Sequence, residues 1–309
     1  MVMRGRGYAS KTASGAVNGI VVFEINIQGA LILPSYCASL VRSGDHDRFL
    51  SALFAAEKDR ENLFALYAFN LEIARIRGQV SEPLLGEIRL QWWREGIEAI
   101  YQNQTVRQHP VLLALEVAIR ECSLPRQPFD AMMDAYGAAL TATQPASVLE
   151  LERHLDATSG ALIRLAAAIT GGDAASDAVL RHAALAWGMT GLLRNIGFHA
   201  SRRQIFLPAE LTHAAGLIPD FVFRGTNSQE LKKVIKAVAG QAAGHLEAAR
   251  SAQSVLSRRL LPVLLPAVLS QLYLRQIARR NYNPFLIQPP IPAFRRQIRM
   301  AWAMWRRRL

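Results

Sequence analysis

Acidic residues are what this chain runs short of, and the shortage is local. The chain has 36 lysines and arginines against 24 aspartates and glutamates, and no acid follows Glu247. Twelve arginines lie beyond that point, which accounts for the whole formal charge of +12 and leaves the preceding residues neutral overall. Residues 188–209 carry no carboxylate, and between Glu61 and Glu82 there is only Glu72. Hard divalent cations need several oxygen ligands, so neither stretch can by itself hold one.

Cysteine is nearly absent as well. Cys37 and Cys122 stand far apart, which excludes a disulfide framework and a cysteine-based zinc pattern and points to a reducing compartment. Long apolar runs are also lacking. The most apolar stretch, LLPVLLPAVLSQLYL at residues 260–274, contains Pro262 and Pro266 and falls short of the roughly 20 residues a spanning helix needs, so it predicts a buried core helix. Residues 1–33 are expected to form an extension, disordered or transit-like, because Arg4, Arg6 and Lys11 precede the first acid, Glu24. Glu24 and Asn26 interrupt its apolar part, which argues against a secretory signal.

What is present is helix-forming. In 309 residues, 51% apolar content is ample for a core, and the Ala- and Leu-rich segments show no strand-like alternation, so the chain is expected to be all-α. Helices are predicted over residues 35–42, 47–56, 57–78, 82–103, 110–121, 130–141, 148–170, 174–199 and 228–257. The last stretch, FRRQIRMAWAMWRRRL at residues 294–309, interleaves apolar side chains with arginines. That composition suits an interfacial helix on an anionic membrane, with Arg295, Arg296, Arg299, Trp302, Trp305, Arg306, Arg307 and Arg308 as the expected contacts. Nucleic acid is the weaker alternative, since no nucleic-acid fold signature accompanies the tail.

Two segments carry a resemblance. Residues 65–78 read ALYAFNLEIARIRG and residues 193–208 read LRNIGFHASRRQIFLP; with YCASLVR near Tyr36 and IRLQWWREGIEAIY from Ile88, they resemble the squalene/phytoene synthase family. The resemblance implies an all-α isoprenoid synthase fold with a central cavity, expected over residues 34–290, with residues 291–309 as a basic amphipathic helix. In that family both segments carry Mg²⁺-binding aspartates, which neutralise the departing diphosphate. Here the corresponding positions are Ala74, Arg75 and Gly78 in the first and Asn195 and His199 in the second. An amide and an imidazole are poor ligands for Mg²⁺. No catalytic residue, metal or cofactor is therefore expected, Mg²⁺ entering only if the chain is a prenyltransferase after all.

In YCASLVR near Tyr36, FALYAFNLEIARIRGQVSEP from Phe64, IRLQWWREGIEAIY from Ile88 and SRRQIFLP from Ser201, the chain most resembles the branch of that family containing the mitochondrial complex I assembly factor and its alphaproteobacterial relatives. This implies a non-catalytic protein, peripheral on the cytoplasmic face of a bacterial inner membrane or the matrix face of the mitochondrial one. Its implied partners are a complex I subunit or assembly intermediate, the anionic membrane surface, and a prenyl lipid or quinone. Two alternatives stand beside it: a head-to-head prenyltransferase making phytoene or squalene, and a metal-independent carrier of a lipid phosphate. For the carrier, Arg75, Arg77, Arg194 and Arg202 would form the anion site, since guanidinium groups bind phosphate without metal. Tyr67, Phe69, Trp92 and Trp93 are the candidates for lining a cavity.

Overall fold

In the computed structural model, residues 35–141, 144–172, 174–286 and 290–309 are described. The expected extension at residues 1–33 lies outside them. The described residues are helical, with no strand among them.

Two short helices open the body. Ser35 caps α1 (Tyr36–Gly44) by accepting from the Ala38 N–H at 3.1 Å, and Asp45 caps α2 (His46–Ala52) by accepting from Arg48 N–H at 3.0 Å. The next helix, α3 (Glu57–Gln79), is the centre of the fold. Its residues 63–71 are buried without a break, so it is enclosed on every side. Its neighbours are α1, α2, α4 (Pro83–Tyr101), α5 (Pro110–Cys122), α6 (Gln127–Thr141) and α8 (Ala161–Ile169). Pro83, Pro110 and Pro128 all sit in first turns, where a missing N–H costs nothing. For this reason α6 starts at Gln127, earlier than residue 130, where the prolines had suggested a break.

A second apolar cluster forms where α9 (Asp177–Arg194) lies along α13 (Gln229–Ser251), which Ser228 caps. Here the structure corrects two predicted helices. The stretch 148–170 divides into α7 (Val148–Leu155) and α8, joined by a π-helical turn at Asp156–Gly160 in which the Thr158 hydroxyl donates to the His154 carbonyl at 2.8 Å. The stretch 174–199 breaks at Asn195, between α9 and α10 (Ile196–Ser201). Two short helices, α11 (Ala209–Ala214) and α12 (Pro219–Phe223), were not anticipated.

The apolar segment around residue 260 forms α14 (Leu261–Arg279), which packs against α9, α13 and α2. It is the one described helix long and apolar enough to cross a membrane, and most of it is buried inside the protein, as expected of a core helix. The last helix, α15 (Ala293–Arg306), lies on α14 and α2 through Met300 and Ala303.

Candidate functional site

The two motif helices do face one another. The Arg202 guanidinium lies against Gly78, its Nη1 2.7 Å from where a β-carbon would stand, so the first motif's last position is where the second motif's arginine rests. Arg77 comes to the same place from α3, its guanidinium 4.5 Å from the Phe206 ring centroid, while Arg202 stacks 4.2 Å over Phe198. Between them His199 meets Phe206 edge-to-face at 4.7 Å, and its buried Nδ1 has no hydrogen-bond partner among the described residues. Burial, and then the positive charges of Arg77 and Arg202, push the His199 pKa down from its ordinary 6.5 to about 4. His154 on α7 is lowered by burial and by Arg77. Asn195 occupies the break after α9, and its side-chain amide donates to the Gly191 carbonyl at 2.9 Å.

These residues do not fit Mg²⁺. A methyl group at Ala74, a bare Gly78 under a guanidinium, an amide committed to the backbone and a half-buried neutral imidazole offer no cluster of hard oxygens. Among the described residues no group of three or more His, Cys, Asp or Glu side chains could hold a metal ion.

The folded-state depression of the His199 pKa has a measurable consequence. The unfolded chain takes up a proton near pH 6.5 and the folded chain only near 4, so stability is lost as pH falls between those values. Urea unfolding at pH 7 and pH 4.5 should show a drop that is smaller by about 2 kcal/mol in His199→Gln than in the native protein. Equal drops in the two proteins would contradict this placement of the imidazole.

The four arginines expected to form one anion site do not converge. Arg77 and Arg202 share the centre just described. Arg75 turns the other way, its guanidinium against Gly44 at the end of α1. Arg194 joins a second centre that sequence reasoning missed. There Asp47, 4% exposed, accepts from the Tyr273 hydroxyl at 2.6 Å and from Arg296, and Arg194 approaches it at 3.7 Å. Arg194 also stacks 3.8 Å over the Tyr273 ring. A cleft of about 600 Å³ opens beside this centre, lined by Arg194, Asn195, Phe198, Tyr273, Phe285 and Arg296 among others.

The aromatic candidates for a cavity wall also separate. Phe69 and Trp93 meet edge-to-face at 5.5 Å, Phe69 and Phe129 do the same, and Trp92 packs on Trp93 at 5.1 Å, so these rings fill space. Tyr67 lines a remaining internal cavity of about 20 Å³, with Arg48, Leu162 and Trp187 on its other walls. That is room for about one water molecule.

Sequence and fold now point the same way, since residues 41–306 match the squalene/phytoene synthase family. The chain belongs to that family. Within the family it is 30% identical over 270 residues to the human protein named NADH dehydrogenase (ubiquinone) complex I, assembly factor 6, covering 87% of this chain and 81% of that one. It is 26% identical over 216 residues to the presqualene diphosphate synthase of Rhodopseudomonas palustris, covering 69% of this chain and 76% of that one. Among solved structures, a dehydrosqualene synthase in complex with ligand superposes with a TM-score of 0.78 at 16% identity, over 88% of this chain and 95% of that one. The isoprenoid synthase architecture expected from the motifs is thus the fold of this squalene/phytoene synthase family member.

On α15 the expected membrane contacts divide by face. Phe294, Ile298, Trp302 and Trp305 are 57%, 63%, 43% and 76% exposed and follow one another at helical spacing along one side. Arg306 and Arg299 stack on the Trp302 ring at 4.6 and 4.9 Å. Arg296 instead turns inward to Asp47, its side chain 13% exposed, and Arg299 is half-buried and reaches Gln271 at 3.4 Å.

Proposed function

We propose that this chain is a non-catalytic member of its family, acting at a membrane surface in the assembly of respiratory complex I. The observation that carries this reading is the substitution of the metal centre: Arg202 rests on Gly78, and Arg77 and a neutral His199 complete the site. Guanidinium groups offer a metal no lone pair, so Arg77 and Arg202 cannot recruit the cation that ionises a prenyl diphosphate. The identity with the human assembly factor supports complex I, through one of its subunits or an assembly intermediate, as the client. The exposed aromatic stripe of α15, flanked by arginines, supports peripheral attachment to an anionic membrane. The surface would be the cytoplasmic face of a bacterial inner membrane or the matrix face of the mitochondrial one. A prenyl lipid or quinone is the second ligand class this reading admits.

Deleting the gene tests the reading as a whole. Assembled complex I, measured on native gels, should fall severalfold while carotenoid and hopanoid pools stay unchanged. Altered isoprenoids with normal complex I would sink it and favour the prenyltransferase alternative.

A further inference from the structure

The cleft beside Asp47 brings Arg194 and Asn195 of the second motif together with Tyr273 of α14 and Arg296 of α15. Its charged lining residues are Arg194 and Arg296, and no acid lines it among the described residues. Both guanidinium groups lean on the single buried carboxylate of Asp47, so two positive charges face one negative charge and one remains uncompensated at the cleft wall. The Tyr273 side chain, whose hydroxyl is bound to Asp47, lines the same wall. Phe198 and Leu286, 53% and 48% exposed, stand with Phe285 and Ile291 as apolar lining. A volume of about 600 Å³ lies within the range of small-molecule sites.

We propose that this cleft binds one monoanionic phospholipid, its phosphodiester between Arg194 and Arg296 and an acyl chain along Phe198, Phe285, Leu286 and Ile291. Guanidinium forks match phosphate oxygens, and a residual charge of one suits a phosphodiester better than a doubly charged phosphate ester. The source of the ligand rests on the membrane reading above, because the cleft is partly walled by Pro290 and Ile291, just ahead of α15, and by Arg296 of α15 itself. A lipid held there would tie the body to the bilayer beside the aromatic stripe.

The test uses the full-length protein and short-chain lipids as monomers in solution, by calorimetry. Dihexanoyl phosphatidylglycerol should bind at least tenfold more tightly than zwitterionic dihexanoyl phosphatidylcholine, and glycerol phosphate alone should bind at least tenfold more weakly. Arg194→Gln and Phe198→Glu should each weaken phosphatidylglycerol binding tenfold or more. Phe198 is exposed, so its variant keeps the test decisive even if Arg194→Gln misfolds. Equal affinity for the two lipids, equal affinity for the bare headgroup, or unchanged binding in Phe198→Glu would each overturn the proposal. Trp305→Glu separates this site from membrane docking. It should weaken binding to vesicles of phosphatidylglycerol and phosphatidylcholine while leaving dihexanoyl phosphatidylglycerol affinity intact; loss of both would assign the lipid to α15 and not to the cleft.

Discussion

Supplied with farnesyl or geranylgeranyl diphosphate and either Mg²⁺ or Mn²⁺, the purified protein should release pyrophosphate no faster than the buffer does. The family's chemistry depends on cations that stabilise the charge developing on the departing diphosphate, and removing even one such electrostatic partner costs about 10²–10³ in rate. Here every aspartate position of both motifs is changed, to Ala74, Arg75 and Gly78 on α3 and to Asn195 and His199 across from it. The guanidinium groups of Arg77 and Arg202 are cationic and offer a metal no lone pair. A variant carrying Ala74→Asp, Gly78→Asp, Asn195→Asp and His199→Asp is the informative companion. The new carboxylate at position 78 would meet the Arg202 guanidinium directly, because its Nη1 lies 2.7 Å from where the β-carbon must go. With Arg77 also in place, the variant should gain an ion pair before it gains turnover. Pyrophosphate release by the native protein, dependent on Mg²⁺ and on substrate, would overturn the non-catalytic reading.

Asp47→Ala should be the most damaging single substitution at the second centre. It strips the partner from Arg296, whose side chain is 13% exposed, and from Arg194, and it leaves the Tyr273 hydroxyl without its acceptor. Removing one member of a buried ion pair typically costs about 3–5 kcal/mol, because the charge left behind has lost its water and its partner. For a chain of this size that corresponds to a fall in Tm of roughly 5–15 °C. Asp47→Asn keeps an acceptor for Tyr273 while removing the charge, so it should fall between Ala and the native residue. Since Arg296 belongs to α15, limited proteolysis of Asp47→Ala should cut near residues 292–309 first. A loss below about 1 kcal/mol, against the expected buried-pair cost, would mean that Asp47 does not hold this helix.

How the chain divides into helices was largely legible in advance, and the exceptions have local causes. Pro128 looked like a break but occupies a first turn, where the missing N–H has no partner to lose. The interruptions at Asp156–Gly160 and Asn195 carry no proline and no strong helix breaker, except for Gly160 at the end of the first. Thr158 draws a backbone carbonyl to its hydroxyl, and Asn195 turns its amide back onto Gly191; both are polar side chains competing with the helical ladder. The candidate site was legible in part. The loss of the carboxylates was visible in residues 65–78 and 193–208, whereas the grouping of the arginines was not. Arg75, Arg77, Arg194 and Arg202 look equivalent in sequence, yet they serve three different surroundings. Asp47 gave no signal at all, since an acid in a first helical turn is ordinary.

Residue order by itself determined that this is an all-α member of the squalene/phytoene synthase family, that its motif helices lack a metal's ligands, and that its positive charge gathers beyond Glu247. Helical periodicity and side-chain chemistry are properties of neighbouring residues, so they can be read from a string. Only the tertiary structure decided that Arg296 meets Asp47 across 249 positions, that Arg202 rests on Gly78, and that α15 shows one face to the core and an aromatic stripe to solvent. Those outcomes depend on which helix faces pack together, and burial then selects the charges that must be paired while leaving the others free to meet a membrane or a ligand.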